Sequence, residues 1–158
     1  MAKTYDPIAT ATASGSQAVI TFSSIPSTFT DIILVISGNT VNSTAQLTFN
    51  NDSTALYSRT SLRGNGTSAT SFLQSDLNCI PIDGSYSQPS QNAIIHVMNY
   101  SNATTFKTSL VRSNNAGAGI DQAVGLYRST NAINRLDVLM AVNWTSGTTF
   151  TLYGIKAA

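Results

Sequence analysis

The stretch Arg63-Gly64-Asn65-Gly66 contains the strongest local indication of the fold in this chain. Its Asn-Gly pair separates two segments, 55–63 and 67–73, in which apolar and polar residues alternate. Asn and Gly tolerate the positive φ angles that a tight hairpin turn requires, and alternation is the pattern of a half-buried strand. The stretch therefore predicts a β-hairpin.

The same rhythm extends along the whole chain. Turn residues interrupt alternating segments about every eight to twelve positions, which is typical of a sandwich or barrel, and no stripe of apolar residues has helical spacing. The sequence therefore predicts an all-β, single-domain antiparallel β-sandwich over residues 8–158, preceded by an N-terminal arm over residues 1–7. The strands are expected near 17–22, 31–37, 44–50, 55–63, 67–73, 92–100, 105–113, 120–128, 133–142 and 148–156.

Two connecting segments have recognisable chemistry. Asn50-Asn51-Asp52-Ser53 is expected to form an Asx turn, in which an Asn or Asp side chain accepts a hydrogen bond from the backbone N–H two residues further along the chain. The segment Ile80 to Gln91 contains Pro81 and Pro89 and is expected to be a loop, because proline is excluded from the interior of a sheet.

The composition is polar but almost uncharged. The 158 residues include 21 Ser, 21 Thr and 14 Asn, no Glu, and a formal net charge of +1. A nucleic-acid partner is not expected, because such binding requires a basic face. A net charge near zero lowers the electrostatic barrier to self-association. Residues 1–10 hold no apolar signal segment, and no apolar run approaches the length of about 18 residues that spans a bilayer, so we expect synthesis in a host cytoplasm and no membrane partner.

Three of the expected strands are apolar on both faces. They lie within 32–36, 93–100 and 136–142, and a chain without helices has no element to cover the second face. We therefore expect a homo-oligomer, with a loop such as 80–91 folded over one face as the alternative. The candidate residues of the subunit interface are Ile33, Val35, Ile94, His96, Met98, Leu139 and Ala141.

The residues that catalysis would need are scarce. His96 is the only histidine and lies in the middle of an expected strand, where a structural role is typical. Cys79 is the only cysteine and is expected to be buried as a small apolar residue. A zinc site needs about four Cys or His ligands, and a weak calcium site at Asn50 and Asp52 is less plausible than a solvated turn. We expect no enzymatic activity, no cofactor and no metal.

A carbohydrate site is the alternative binding function. Aromatic rings near amide side chains are used by sugar-binding surfaces, and also by ordinary loop anchors. The candidate contacts are Tyr86, Gln88, Gln91, Asn143 and Trp144.

Several phrases taken together resemble a group of small virion structural proteins of tailed bacteriophages. They are Tyr5-Asp6-Pro7-Ile8-Ala9-Thr10, the segment Ile20 to Asp31, Leu47-Thr48-Phe49-Asn50-Asn51-Asp52, Tyr57-Ser58, Leu62-Arg63-Gly64-Asn65-Gly66, Lys107-Thr108 and the closing Phe150-Thr151-Leu152-Tyr153-Gly154-Ile155-Lys156. The resemblance implies a sandwich of jelly-roll type, carried in many copies on the particle and without enzymatic activity.

The expected function is accordingly that of a capsid decoration, or cement, protein. It would form a homo-oligomer, expected to be a trimer, on the major capsid protein of the virion and stabilise the shell. The arm residues Lys3, Tyr5, Asp6, Pro7 and Ile8 are the expected capsid contact. The alternative is a tail-fibre or baseplate adhesin that binds a host surface glycan through the carbohydrate contacts given above.

Overall fold

A computed structural model describes residues 4–82, 91–115 and 117–156. These residues form twelve strands in two antiparallel sheets, which confirms the predicted all-β sandwich. The strands are β1 (Tyr5–Thr12), β2 (Val19–Phe22), β3 (Asp31–Asn39), β4 (Ala45–Phe49), β5 (Tyr57–Gly64), β6 (Ala69–Leu77), β7 (Ile80–Ile82), β8 (Gln91–Met98), β9 (Lys107–Asn115), β10 (Gly119–Tyr127), β11 (Leu136–Leu139) and β12 (Thr149–Ile155). The described part of the chain contains no helix that is long and apolar enough to cross a membrane.

The two sheets are unequal in size. The large sheet has the order β1-β12-β3-β8-β9-β10-β5-β6, and the small sheet has the order β2-β11-β4-β7. In the large sheet, the hairpin β9–β10 lies between β8 and β5, and β1 and β12 lie beyond β3. Without these four strands, each sheet has four strands, in the orders β3-β8-β5-β6 and β2-β11-β4-β7. Eight strands divided between two sheets is the number in a jelly roll. The jelly-roll type stays a prediction, and this order is the observation in its favour.

The core lies between the sheets. Alternate residues of β3, namely Ile32, Leu34 and Ile36, are buried, as are Leu47 and Phe49 of β4. This period of two places one side of each strand against the opposite sheet. Three aromatic rings extend the core to one end, where the rings of Tyr57 and Tyr127 are stacked at 4.7 Å and Phe49 lies 5.6 Å from Tyr127. The apolar interior is therefore continuous across both sheets.

A strand is present within or across each of the ten predicted segments, but two further strands differ from the sequence prediction. Residues Tyr5–Pro7, which were expected in an arm, form the beginning of β1 and pair with β12. Residues Ile80–Ile82, which were expected in a loop, form β7. This strand is at the edge of the small sheet, where Pro81 is tolerated because one side of an edge strand makes no ladder hydrogen bonds. The predicted strand 133–142 is shortened to Leu136–Leu139.

The predicted turns are present. Asn65 to Ser68 connect β5 and β6, with Gly66 at a φ of 86°, so the hairpin is confirmed with a four-residue connection. Asn50 and Asn51 have φ angles of 53° and 57°, in the left-handed region that Asn tolerates. Asp52 Oδ1 accepts a hydrogen bond from the Thr54 backbone N–H at 2.9 Å, which is the predicted Asx turn.

Candidate self-association surface on the large sheet

The side of the large sheet that faces away from the small sheet is the most unusual surface of the molecule. We call it the outer face and define it by the outward residues of β3, β8, β9, β10 and β5. The outward side chains are Asp31, Ile33, Val35, Ser37, Asn92, Ile94, His96, Met98, Thr108, Leu110, Arg112, Asn114, Ile120, Gln122, Val124, Leu126, Ser58, Thr60 and Leu62. Nine of them are aliphatic or Met side chains, although none of the other described strands covers this face.

The register of the strands brings these residues into cross-strand rows. One row joins directly opposed residues on seven neighbouring strands, in the order Tyr153, Ile33, His96, Leu110, Val124, Thr60 and Leu73. The next row joins Val35, Ile94, Arg112, Gln122 and Leu62. Directly opposed side chains in antiparallel strands are close enough to contact each other. The rows therefore place many aliphatic side chains beside one another, with His96, Thr60, Arg112 and Gln122 between some of them.

This surface is open to solvent. Leu110 is 43% exposed, Val124 is 47% exposed and Leu62 is 62% exposed, whereas an inward neighbour such as Val111 is 2% exposed. A shallow groove of about 460 Å³ runs along β8, β9, β10 and β5, and Ile94, Leu110 and Val124 are among its lining residues. Large continuous apolar patches on soluble proteins mark interaction surfaces.

Several inward residues of β5, β9 and β10 are small where β7 packs against them. Ser61, Ser109, Ala123 and Gly125 are small and point inward, so they leave space for β7 to approach closely. A Cβ added at Gly125 would lie 2.7 Å from the Ile80 side chain. The close approach of β7 therefore requires small inward residues at these positions, while Ile120, Val124 and Leu126 of β10 point outward.

Two pairs of polar side chains on the outer face are hydrogen-bonded to each other, His96 with Asp31 and Ser37 with Asn92. His96 Nε2 lies 2.8 Å from Asp31 Oδ2, and Asp31 Oδ1 accepts a hydrogen bond from the Asn99 backbone N–H at 2.7 Å. The carboxylate therefore connects β3, β8 and the turn after β8. This arrangement supports the structural role that was predicted for His96.

The structure divides the predicted interface residues between two surfaces. Ile33, Val35, Ile94, His96 and Met98 lie together on the outer face. Leu139 belongs to β11 of the small sheet, on the opposite side of the sandwich, and Ala141 follows that strand. A single flat contact through the outer face cannot include the last two residues, because the sandwich separates them from the first five.

The predicted capsid-contact arm is largely a strand. Lys3 lies outside the described residues, whereas Tyr5, Asp6, Pro7 and Ile8 belong to β1. Asp6 Oδ2 lies 2.9 Å from Lys156 Nζ, and the Tyr5 ring meets the Tyr153 ring edge-on at 6.4 Å. These side chains are held against β12, so a contact through them would use the edge of a sheet.

Three of the five predicted carbohydrate contacts lie within the described residues. Tyr86 and Gln88 lie outside the described residues, and Asn143 is exposed. Gln91 is half-buried, and its side-chain amide donates to the Val41 carbonyl at 3.4 Å. Trp144 is 2% exposed, with its ring edge-on to Phe150 at 4.8 Å. The prediction that Trp144 contacts sugar is wrong, because its ring is packed in the core.

The groups considered for catalysis or metal binding are engaged within the protein. Hydrogen bonds from Thr54 hold the pKa of Asp52 below its usual range, and its second oxygen accepts a hydrogen bond from Tyr127 at 2.8 Å. Cys79 is buried as predicted, and burial raises the pKa of its thiol. Within the described ranges, no three His, Cys, Asp or Glu residues form a group that would hold a metal ion.

Neither the protein-family models nor the curated proteins with which this chain was compared give a match. The resemblance to phage virion proteins therefore stays a prediction, and the outer face is the feature of the structure that bears on function.

Proposed function

We propose that this chain is a non-enzymatic structural protein that associates with copies of itself and decorates the capsid of a bacteriophage. In this proposal the protein is made in the host cytoplasm and becomes part of the virion. It forms an oligomer, expected to be a trimer, which binds the major capsid protein as a cement. The observation that carries the proposal is the cluster of exposed aliphatic side chains on the outer face.

The size of the outer face fits a contact between proteins. With a strand spacing of about 4.8 Å and a rise of about 3.3 Å per residue, the five strands of the outer face cover roughly 24 Å by 26 Å. The resulting footprint, about 620 Å², is somewhat smaller than the roughly 800 Å² that each partner contributes to a stable interface of standard size. A second copy of the chain is the occupant that this proposal requires.

The charge of the protein favours the same conclusion. The formal net charge is +1, so two copies repel each other only weakly at long range. On the outer face Arg112 is exposed, while His96 is paired with Asp31. Arg112, Gln122 and Thr60 lie among the aliphatic side chains of the rows, and such a mixture of apolar and polar groups is usual in protein interfaces.

Stabilisation of a shell would then follow from mass action. A protein that binds only the assembled shell stabilises it by an amount that grows with its concentration relative to the dissociation constant. Oligomers increase this effect, because several shell contacts are made together and the effective concentration of each is raised.

The copy number in purified phage particles tests this function. Quantitative mass spectrometry should find the chain in a simple ratio to the major capsid protein, on the order of hundreds of copies for a repeating shell. A few copies to a few tens would place the protein on the tail and favour the adhesin function instead. Absence from the particle would overturn the virion proposal.

A further inference from the structure

Strand β6 is the most exposed strand of the large sheet. It contains nine residues, Ala69–Leu77, of which seven are exposed and two are half-buried. It occupies one end of the sheet, and among the described residues no strand pairs with its second edge. Such an edge presents unpaired N–H and C=O groups to which another strand can be added.

The two ends of the large sheet differ in how they are protected. At the other end, β1 contains Pro7 and has a register shift between Pro7 and Ala9. Proline and bulges are features that prevent strand addition. Ala69 to Gln74 contain no proline, no charged residue and no register shift. One edge is therefore blocked, and the other is open.

Contacts with β5 hold β6 in an extended conformation. The guanidinium groups of Arg59 and Arg63 lie 4.9 Å and 5.5 Å from the centre of the Phe72 ring. Arg59 also donates a hydrogen bond to the Gln74 side chain at 2.8 Å. Regular pairing continues to Gln74, beyond which Asp76 has a φ of 55°. The open edge is thus a preorganised template of six residues.

The hydrogen-bond alternation identifies the outward backbone groups. The Asn65 N–H donates to the Ser68 carbonyl at 3.2 Å, and these two residues are opposed in the same register as the strands. Bonded and non-bonded pairs alternate along an antiparallel ladder. The N–H and C=O groups of Ala69, Ser71 and Leu73 consequently point away from β5.

We propose that β6 pairs antiparallel with β6 of a second copy, about a two-fold axis that passes through the Ser71 pair. In this register Ala69 of each copy lies opposite Leu73 of the other, so that the Leu73 side chain, 72% exposed in the single chain, gains an apolar neighbour. No like charges are opposed, because residues 69–74 are uncharged. The two outer faces lie on the same side of the extended sheet.

This inference rests on the proposed function, because it specifies one contact of a self-associating chain. The β6 edge lies in the plane of the sheet, whereas contact through the outer face is perpendicular to that plane. Both contacts can therefore form together. An oligomer built through the outer face would be joined to its neighbours through β6 pairs, which is how a continuous coat could be made.

Disulfide cross-linking tests the register. In a Cys79→Ser background, Ser71→Cys should give a covalent dimer on mild oxidation, because bonded antiparallel pairs have Cα atoms about 5.5 Å apart, within the range of disulfides. Ser75→Cys, an exposed position on the same strand, is the matched control and should cross-link at least about tenfold less. Equal cross-linking of the two variants would overturn the inference.

A backbone variant supplies a second, independent measurement. Ser71→Pro removes an outward N–H and should weaken association about tenfold or more, whereas Ser71→Ala keeps the N–H and should associate like the wild type. The melting temperature shows whether the Ser71→Pro variant is folded. If the variant is unfolded, the cross-linking of Ser71→Cys against Ser75→Cys remains the test of β6 pairing. Wild-type association by a folded Ser71→Pro variant would refute β6 pairing alone. A wild-type chain that stays monomeric would contradict the proposed function as well.

Discussion

Leu110 on β9 and Val124 on β10 are directly opposed in the antiparallel ladder, and both point away from the core. They are 43% and 47% exposed, although each is flanked along its strand by buried residues. The pair lies at the centre of the row that crosses the large sheet from Tyr153 to Leu73. An apolar pair in this position contributes little to the monomer and is available to a partner.

The two faces of the sandwich should respond differently to the same substitution. In dilute solution, Val124→Thr should change the free energy of unfolding by less than about 0.5 kcal/mol, as exposed substitutions usually do. Val138→Thr, at a fully buried position, should lower it by roughly 1–3 kcal/mol, because a hydroxyl enters the core. Urea unfolding followed by circular dichroism measures both values. A similar loss in the two variants would show that the outer face is part of the folded core.

The closing segment of the chain has a packing constraint at Gly154. A Cβ built at this residue would clash with the Phe29 ring, and Lys156 Nζ lies 5.4 Å from the centre of the same ring. Gly154→Ala should therefore lower the free energy of unfolding by about 1–3 kcal/mol, the usual effect of adding atoms to a well-packed site.

Gly64→Ala is the matched control for that variant, because the nearest atom to its added Cβ is 3.7 Å away. Thermal unfolding of both variants should show a clear loss for Gly154→Ala and little change for Gly64→Ala. If Gly154→Ala has the same melting temperature as the wild type, the Phe29 ring is not held against Gly154.

The turn between β4 and β5 should be stabilised by Asp52. Asp52→Ala is expected to lower the free energy of unfolding by about 1–3 kcal/mol, since the hydroxyl of Tyr127 loses its acceptor. Asp76→Asn is the control, because that carboxylate is 79% exposed, its ion pair with Arg128 should contribute little, and Asn tolerates the positive φ of this residue.

Acid should remove the contribution of Asp52. Its pKa is lowered from the usual value of 3.8 in the folded protein, so the folded state binds the proton less readily than the unfolded chain. The contribution is complete above that usual value and is lost as the pH falls through the folded pKa. Asp52→Asn should have a weaker dependence of stability on acid pH than the wild type; an identical dependence would refute the role of this carboxylate.

Alkaline pH should destabilise the fold through three tyrosines. Burial raises the pKa of Tyr57, Tyr100 and Tyr127. The unfolded chain loses these protons near pH 10, whereas the folded protein keeps them, so the free energy of unfolding falls as the pH rises above about 10.

Spectroscopic titration measures this effect. Phenolate absorbance from these three residues should appear together with the loss of circular dichroism. The free energy of unfolding should decline less steeply with pH in Tyr100→Phe than in the wild type. Complete ionisation of all six tyrosines in a folded protein would contradict the account.

The β-sandwich could be predicted from the sequence because, along most of the chain, turn residues separate segments in which apolar and polar residues alternate. It failed where strands lack that pattern. β7 contains Pro81, and β1 contains Pro7 and an irregular register, so neither has the pattern of a regular strand. Both are edge strands, where proline is tolerated for reasons that only the sheet order reveals.

The candidate surface was predicted only in part for a related reason. Strands β3 and β8 are apolar on both faces, so their outward residues could be identified from the sequence. In β10 the inward residues Ala123 and Gly125 are small, and the inward Asp121 is charged. The usual assumption that the more apolar side of a strand faces the core therefore assigns the outward side of β10 to the core. The close approach of Ile80 explains this inversion, and it depends on contacts distant in sequence.

The most direct test of the central claim is the mass of the protein in solution by analytical ultracentrifugation. The wild-type chain of 16.7 kDa should sediment as an oligomer, and Val124→Lys should shift it toward the monomer without lowering the melting temperature. Val19→Lys and Val142→Lys are matched controls, because the native valines are 48% and 45% exposed but lie off the outer face. Both controls should remain oligomeric. A monomeric wild-type protein, or dissociation by Val19→Lys with no effect of Val124→Lys, would contradict self-association through the outer face.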